Sequence, residues 1–107
     1  MLHPTDRTVA EVLKERLVQN GIPVQRVLVF GSRARGDFSS ESDLDVCLVL
    51  DIVDDEVCHA VSRIAWEVGY QLDRIITTVE YTPEQLEQTP LRSSPFIRAI
   101  QQEGVPI

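Results

Sequence analysis

Residues 30–46 read FGSRARGDFSSESDLDV, between the apolar runs VLV at 27–29 and CLVL at 47–50. Runs this short, rich in Val, Leu and Phe, read as buried strands. A loop held between two core strands keeps its residues in a fixed relation. This loop opens on Gly31, Ser32, Arg33 and Arg35 and closes on Asp43 and Asp45 at the mouth of the second strand. Residues i and i+2 of a strand share a face, about 6–7 Å apart. Asp43 and Asp45 should therefore point the same way, with Leu44 opposite. Two such charges repel without a cation between them. Mg²⁺ takes oxygen ligands and keeps substrate phosphates in its shell, and paired ions of phosphoryl-transfer sites sit about 3.5–4 Å apart. Gly31 permits backbone geometry closed to other residues and lets a ligand approach closely. Ser32 offers a hydroxyl and an amide to a phosphate oxygen, and Arg33 or Arg35 can grip phosphate with a planar fork. The loop and the acidic pair read as two halves of a clamp for a nucleoside triphosphate and its metal.

Upstream, Val9, Val12, Leu13 and Leu17 repeat at helical spacing over 8–20, with Thr8 and Glu11 as a capping box and Gly21 as a stop. Downstream, Val57, Ala60, Val61, Ile64, Ala65 and Val68 make one stripe over 54–68, which Gly69 is expected to end. Residues 72–81 are rich in Ile, Thr and Val and read as a third strand. Thr82-Pro83-Glu84-Gln85 carries a cap, a proline at the first helical position and a capping-box glutamine, which predicts a short helix to about residue 88. Ser94-Pro95 repeats the signal and opens a last helix over 96–103, with Gly104 after it. The strands at 43–50 and 72–81 are joined by a long helix, so they should run parallel; those at 24–30 and 43–50 can be antiparallel. The expected class is α/β (α+β), a small mixed sheet packed with helices in one domain over 1–107.

The chain of 107 residues has a net charge of −7 and a single lysine, Lys14. That argues against a broad duplex-binding face, which needs clustered cations, but a local pair of arginines suffices for one small anionic ligand. No apolar run approaches membrane-spanning length, and MLHPTDRTVAEVL lacks a secretion pattern. Cys47 and Cys58 lie in apolar patterns and suggest reduced, buried thiols and a cytoplasmic setting. With His59 they lack the tight spacing of a zinc site. Asp51, Asp54, Asp55 and Glu56 suit a helix N-terminus. Asp37 suits a turn, and Trp66 a partly buried position.

Gly31-Ser32, ten intervening residues, then Asp43-x-Asp45 resembles the signature of the DNA polymerase β-like nucleotidyltransferase superfamily. The string GSRARGDFSSESDLD is similar to the minimal nucleotidyltransferase (MNT) family of small prokaryotic proteins, and SPFIRAIQQEGVPI resembles that family's closing helix. The resemblance implies a palm-like fold and transfer of a nucleoside monophosphate from a triphosphate, ATP here, to a hydroxyl, with two Mg²⁺ ions. It makes Asp43 and Asp45 metal ligands and Gly31 and Ser32 the phosphate-binding pair. It calls for a third carboxylate on a later strand, for which Asp73 is preferred and Glu80 is the alternative, about 23 Å further along. If neither reaches the metals, the acceptor proton must go to water or a partner residue, or catalysis is lost. It also implies pairing with a HEPN-domain ribonuclease toxin, neutralised by AMP on a tyrosine. The alternative is a binding module that neutralises the same partner by occlusion. Small-molecule acceptors are a lesser reading, since such relatives carry an additional helical domain. The acceptor, the base preference and the oligomeric state, a homo-oligomer included, stay open.

Overall fold

The computed structural model describes residues 2–36, 42–88 and 90–107, with the backbone alone at 91 and 92. Asp37 and the rest of 37–41 lie outside the described residues. The order is α1 (Pro4–Gln19), β1 (Val24–Phe30), α2 (Ser32–Arg35), β2 (Leu44–Leu50), α3 (Asp55–Leu72), β3 (Ile76–Tyr81), α4 (Pro83–Glu87), a 3₁₀ turn (Pro90–Ser93), α5 (Pro95–Glu103) and β4 (Val105–Pro106). The sheet order is β3-β2-β1-β4. β2 and β3 are parallel, while β1 is antiparallel to both β2 and β4. This is the mixed sheet the sequence predicts, with one short strand added.

β2 is apolar throughout after Asp45 because both its faces are covered. Leu44, Val46, Leu48 and Leu50 face α1 and α3, in a core with Leu13, Leu17 and Ile64. Cys47 and Val49 face the other way, packing with Leu28, Leu86, Ile97 and Ile100 beneath α4 and α5. Burial pushes the Cys47 thiol up to about 11, so it stays protonated and acts as a small apolar side chain. Among the described residues no helix is long and apolar enough to cross a membrane.

Three boundaries differ from expectation, each for a local reason. α1 starts at Pro4, because the His3 ring accepts the Thr5 N–H and caps the helix ahead of Thr8. Thr8 is then interior, and its hydroxyl donates to the Pro4 carbonyl. α3 runs past Gly69 to Leu72 and ends where Asp73 takes left-handed geometry, φ 55°. Gly69 serves packing instead: a side chain there would strike the Arg74 carbonyl, whose own N–H donates to the Gly69 carbonyl at 2.8 Å. β3 accordingly begins at Ile76, so Asp73 is not in the strand. β4, which sequence reasoning missed, is two residues long and is set by pairing with β1, Leu28 opposite Pro106.

Candidate active site

The site forms where β1 ends and β2 and β3 begin. Phe30 pairs with Asp45 across the antiparallel ladder, which brings Gly31 beside Asp45. Gly31 has φ 77° and ψ −159°, a region essentially restricted to glycine. A side chain there would also collide with the Asp45 carboxylate. Both facts demand glycine, and together they let the Asp45 carboxylate rest against the turn that leads into Ser32. Asp43, one residue before β2, is exposed and accepts a hydrogen bond from the Thr77 hydroxyl at 3.3 Å.

Burial, then the neighbouring charge of Asp43, pushes the Asp45 carboxyl above its ordinary value of 3.8, with Arg35 pulling it partly back. Asp43 and Asp45 are thus electrostatic neighbours, as their spacing predicts. A carboxyl whose pKa is raised by folding binds its proton more tightly in the native state. Its contribution to stability falls as pH climbs from 3.8 through the raised value, and the loss persists at neutral pH. Metal-free Asp45→Asn should therefore melt above the parent at pH 7, with the gap closing below pH 3.8. A thermal melt series against pH checks this, and a variant melting lower at pH 7 contradicts it.

The two arginines of the loop have different surroundings. Arg35 is exposed, lies 3.2 Å from Glu103 and acts on Asp45 through its charge. Arg33, expected as a phosphate ligand, is only 7% exposed. Its guanidinium pairs with Asp6 at 3.2 Å and donates through Nε to the Ser42 carbonyl, also at 3.2 Å. Asp6 is itself fully buried and takes a second guanidinium, that of Arg74, at 2.5 Å. One carboxylate thus ties the start of α1 to the glycine–serine loop and to the turn before β3. Arg33 adds the approach to β2, so it fixes the spacing between Ser32 and Asp43. No local pattern signals this. An aspartate in a first helical turn ordinarily faces solvent, and its partners lie 27 and 68 residues away.

Of the candidates for a third acid, Glu80 is register partner to Leu48 and shares that residue's face, opposite Asp45. It hydrogen-bonds Cys58 and Thr78 there, and burial raises its pKa. Asp73 is the exposed C-cap of α3, a place that suits aspartate because its short side chain tolerates left-handed geometry. Among the described residues no three Asp, Glu, His or Cys side chains come together as a metal site. Abreast of Asp45 on β3 stands Thr77. The pair Asp43 and Asp45 still suits Mg²⁺, which binds through one or two carboxylates and completes its shell with water and phosphate.

A cleft of about 770 Å³ runs between α3 and β3; neither aspartate lines it, but Thr77, which donates to Asp43, does. Ser42 and Thr77 stand at one end, and Trp66, Tyr70 and Ile75 along its side. Trp66 is 68% exposed and Tyr70 77%, and their rings stack at 5.3 Å. Trp66, which lies opposite the apolar stripe of α3, is therefore a surface residue and not the partly buried one expected.

The nucleotidyltransferase domain family matches residues 7–105, and the chain belongs to it. A relative from Methanocaldococcus jannaschii, named "Putative protein adenylyltransferase MJ0604", is 27% identical over 81 residues, 76% of this chain and 75% of its own length. Among solved structures, one described as a putative minimal nucleotidyltransferase matches with a TM-score of 0.67 at 23% identity, over all of this chain and 97% of its own. A toxin–antitoxin crystallised with AMP-PNP matches with a TM-score of 0.63 at 20% identity, over 91% of this chain and 70% of its own. The chain is a nucleotidyltransferase, and its fold is that of the structure described as a putative minimal nucleotidyltransferase.

Proposed function

We propose that the chain transfers AMP from ATP to a protein hydroxyl, a tyrosine of a HEPN-domain ribonuclease toxin that it neutralises in the cytoplasm. The observation that carries this reading is the contact of the Asp45 carboxylate with Gly31, with Asp43 beside it. That contact sets a phosphate-binding turn and an acidic pair against each other at the open end of the sheet. A relative named for protein adenylyl transfer and a structural neighbour that is a toxin–antitoxin with AMP-PNP favour a protein acceptor and an adenine nucleotide.

In this reading Asp43 and Asp45 would hold Mg²⁺, and the bound ion would supply neutralisation of triphosphate charge and polarisation of the α-phosphorus. Gly31 gives the triphosphate room to approach the backbone, and Ser32 and Arg35 take its oxygens. Arg33 acts at one remove, by holding the loop. Asp73, capping α3, is left outside the pair. The acceptor oxygen forms a bond to the α-phosphorus, and the bond from that phosphorus to the bridging oxygen breaks. Pyrophosphate leaves with the electron pair, and the hydroxyl proton passes to water or to a base on the acceptor protein. Positioning and charge do most of the work in such transfers. The exposed Trp66–Tyr70 stack, on the cleft that reaches Ser42 and Thr77, offers a protein surface a place to rest beside the reacting atoms.

Transfer of label from α-labelled ATP to the product of the neighbouring gene, in the presence of Mg²⁺, tests the reading. Label on a partner tyrosine is expected; an unlabelled partner overturns it. Neutralisation by occlusion, without turnover, is the second reading, and the lack of a three-acid group among the described residues is what favours it.

A further inference from the structure

The notable residue of the site is Thr77. It is the Cα partner of Asp45 in the parallel ladder, so the two side chains leave the sheet on the same face. Its hydroxyl also reaches the Asp43 carboxylate at 3.3 Å. A side chain abreast of one aspartate and bonded to the other occupies the place from which a third acid would close the site. Threonine brings no charge there, and its hydroxyl donates to the Asp43 carboxylate. Glu80 faces away and Asp73 caps a helix, so neither completes the set.

Resting on the reading of this site as a nucleotide–metal clamp, we infer that the acidic pair holds one divalent ion, shared with the triphosphate, and that Thr77 is the residue that leaves a second ion without a seat. One ion between two carboxylates and the phosphates completes its shell without a further protein ligand. A second ion would have to share the same two carboxylates, with a neutral hydroxyl in place of the charge that would hold it. The acceptor hydroxyl then has no metal of its own on this chain. Its proton then passes to water or to a base that the acceptor protein brings.

Counting bound Mn²⁺ by electron paramagnetic resonance decides this, with an α,β-methylene analogue of ATP that cannot be cleaved at the α-phosphorus. The parent should hold one ion per chain. Thr77→Asp should hold two, the second at least about tenfold tighter than any second ion in the parent. Thr77→Asn, of similar size but neutral, should stay at one. Two tight ions on the parent would overturn the inference and leave the clamp standing; so would one ion on folded Thr77→Asp, or two on Thr77→Asn. No ion on the parent with the analogue present would overturn the clamp and the inference together. Circular dichroism of Thr77→Asp guards against misfolding, and the parent count decides by itself if that variant does not fold.

Discussion

Changing Asp43 and Asp45 together to asparagine is expected to lower AMP transfer at least about 10³-fold. A metal held there would contribute several kcal/mol of charge stabilisation, and each ~1.36 kcal/mol is tenfold in rate. Asparagine keeps the size of both side chains, and it keeps an acceptor for the Thr77 hydroxyl. It removes the charge that attracts the cation. The fold should survive, because Asp43 is exposed and Asp45 is held in its charged form at a cost that the change relieves. A stable protein with no transfer is thus the expected result, read by label incorporation beside a thermal melt. If the variant still neutralises its partner in cells, occlusion rather than turnover does the neutralising.

The largest expected effect on stability comes from Asp6→Ala. Its carboxylate is fully buried between Arg33 and Arg74, and no described buried side-chain polar atom lacks a partner. Removing it takes the buried carboxylate away from two guanidinium groups, those of Arg33 and Arg74. Breaking a buried pair on one side costs about 3–5 kcal/mol, against about 5–15 kcal/mol for a whole domain. Chemical denaturation should show that loss. Asp6→Asn, which still accepts hydrogen bonds, should lose less. Because Arg33 also holds the Ser42 carbonyl, Asp6→Ala should in addition weaken nucleotide binding by a chain that remains folded. Unchanged stability in Asp6→Ala would contradict this account of the loop.

The contrast between Asp6 and Asp43 shows what the sequence could and could not tell. The closeness of Asp43 and Asp45 was legible because its signal is local: two residues apart at the mouth of a strand, after a glycine–serine turn. The α3 stripe and the cap of α4 were legible for the same reason, and Thr82 and Gln85 exchange both capping-box bonds as their spacing predicts. Asp6, Gly69 and Thr77 owe their roles to partners far along the chain. Asp6 lies ahead of the helix that the spacing marks, with nothing to single it out until Arg33 and Arg74 are placed around it. Gly69 reads as a helix stop until the Arg74 carbonyl is seen against it. Thr77 reads as an ordinary strand threonine until the register sets it beside Asp45. The end of α3 hid the rest, since its four extra residues turned Asp73 from a strand residue into a cap.

Titration calorimetry of ATP, with Mg²⁺ and then with EDTA, on the parent and on the Asp43→Asn, Asp45→Asn double variant tests the clamp most directly. Binding by the parent should depend on the divalent ion and should be lost in the double variant. Equal affinity with and without the ion, or in parent and double variant alike, would contradict it.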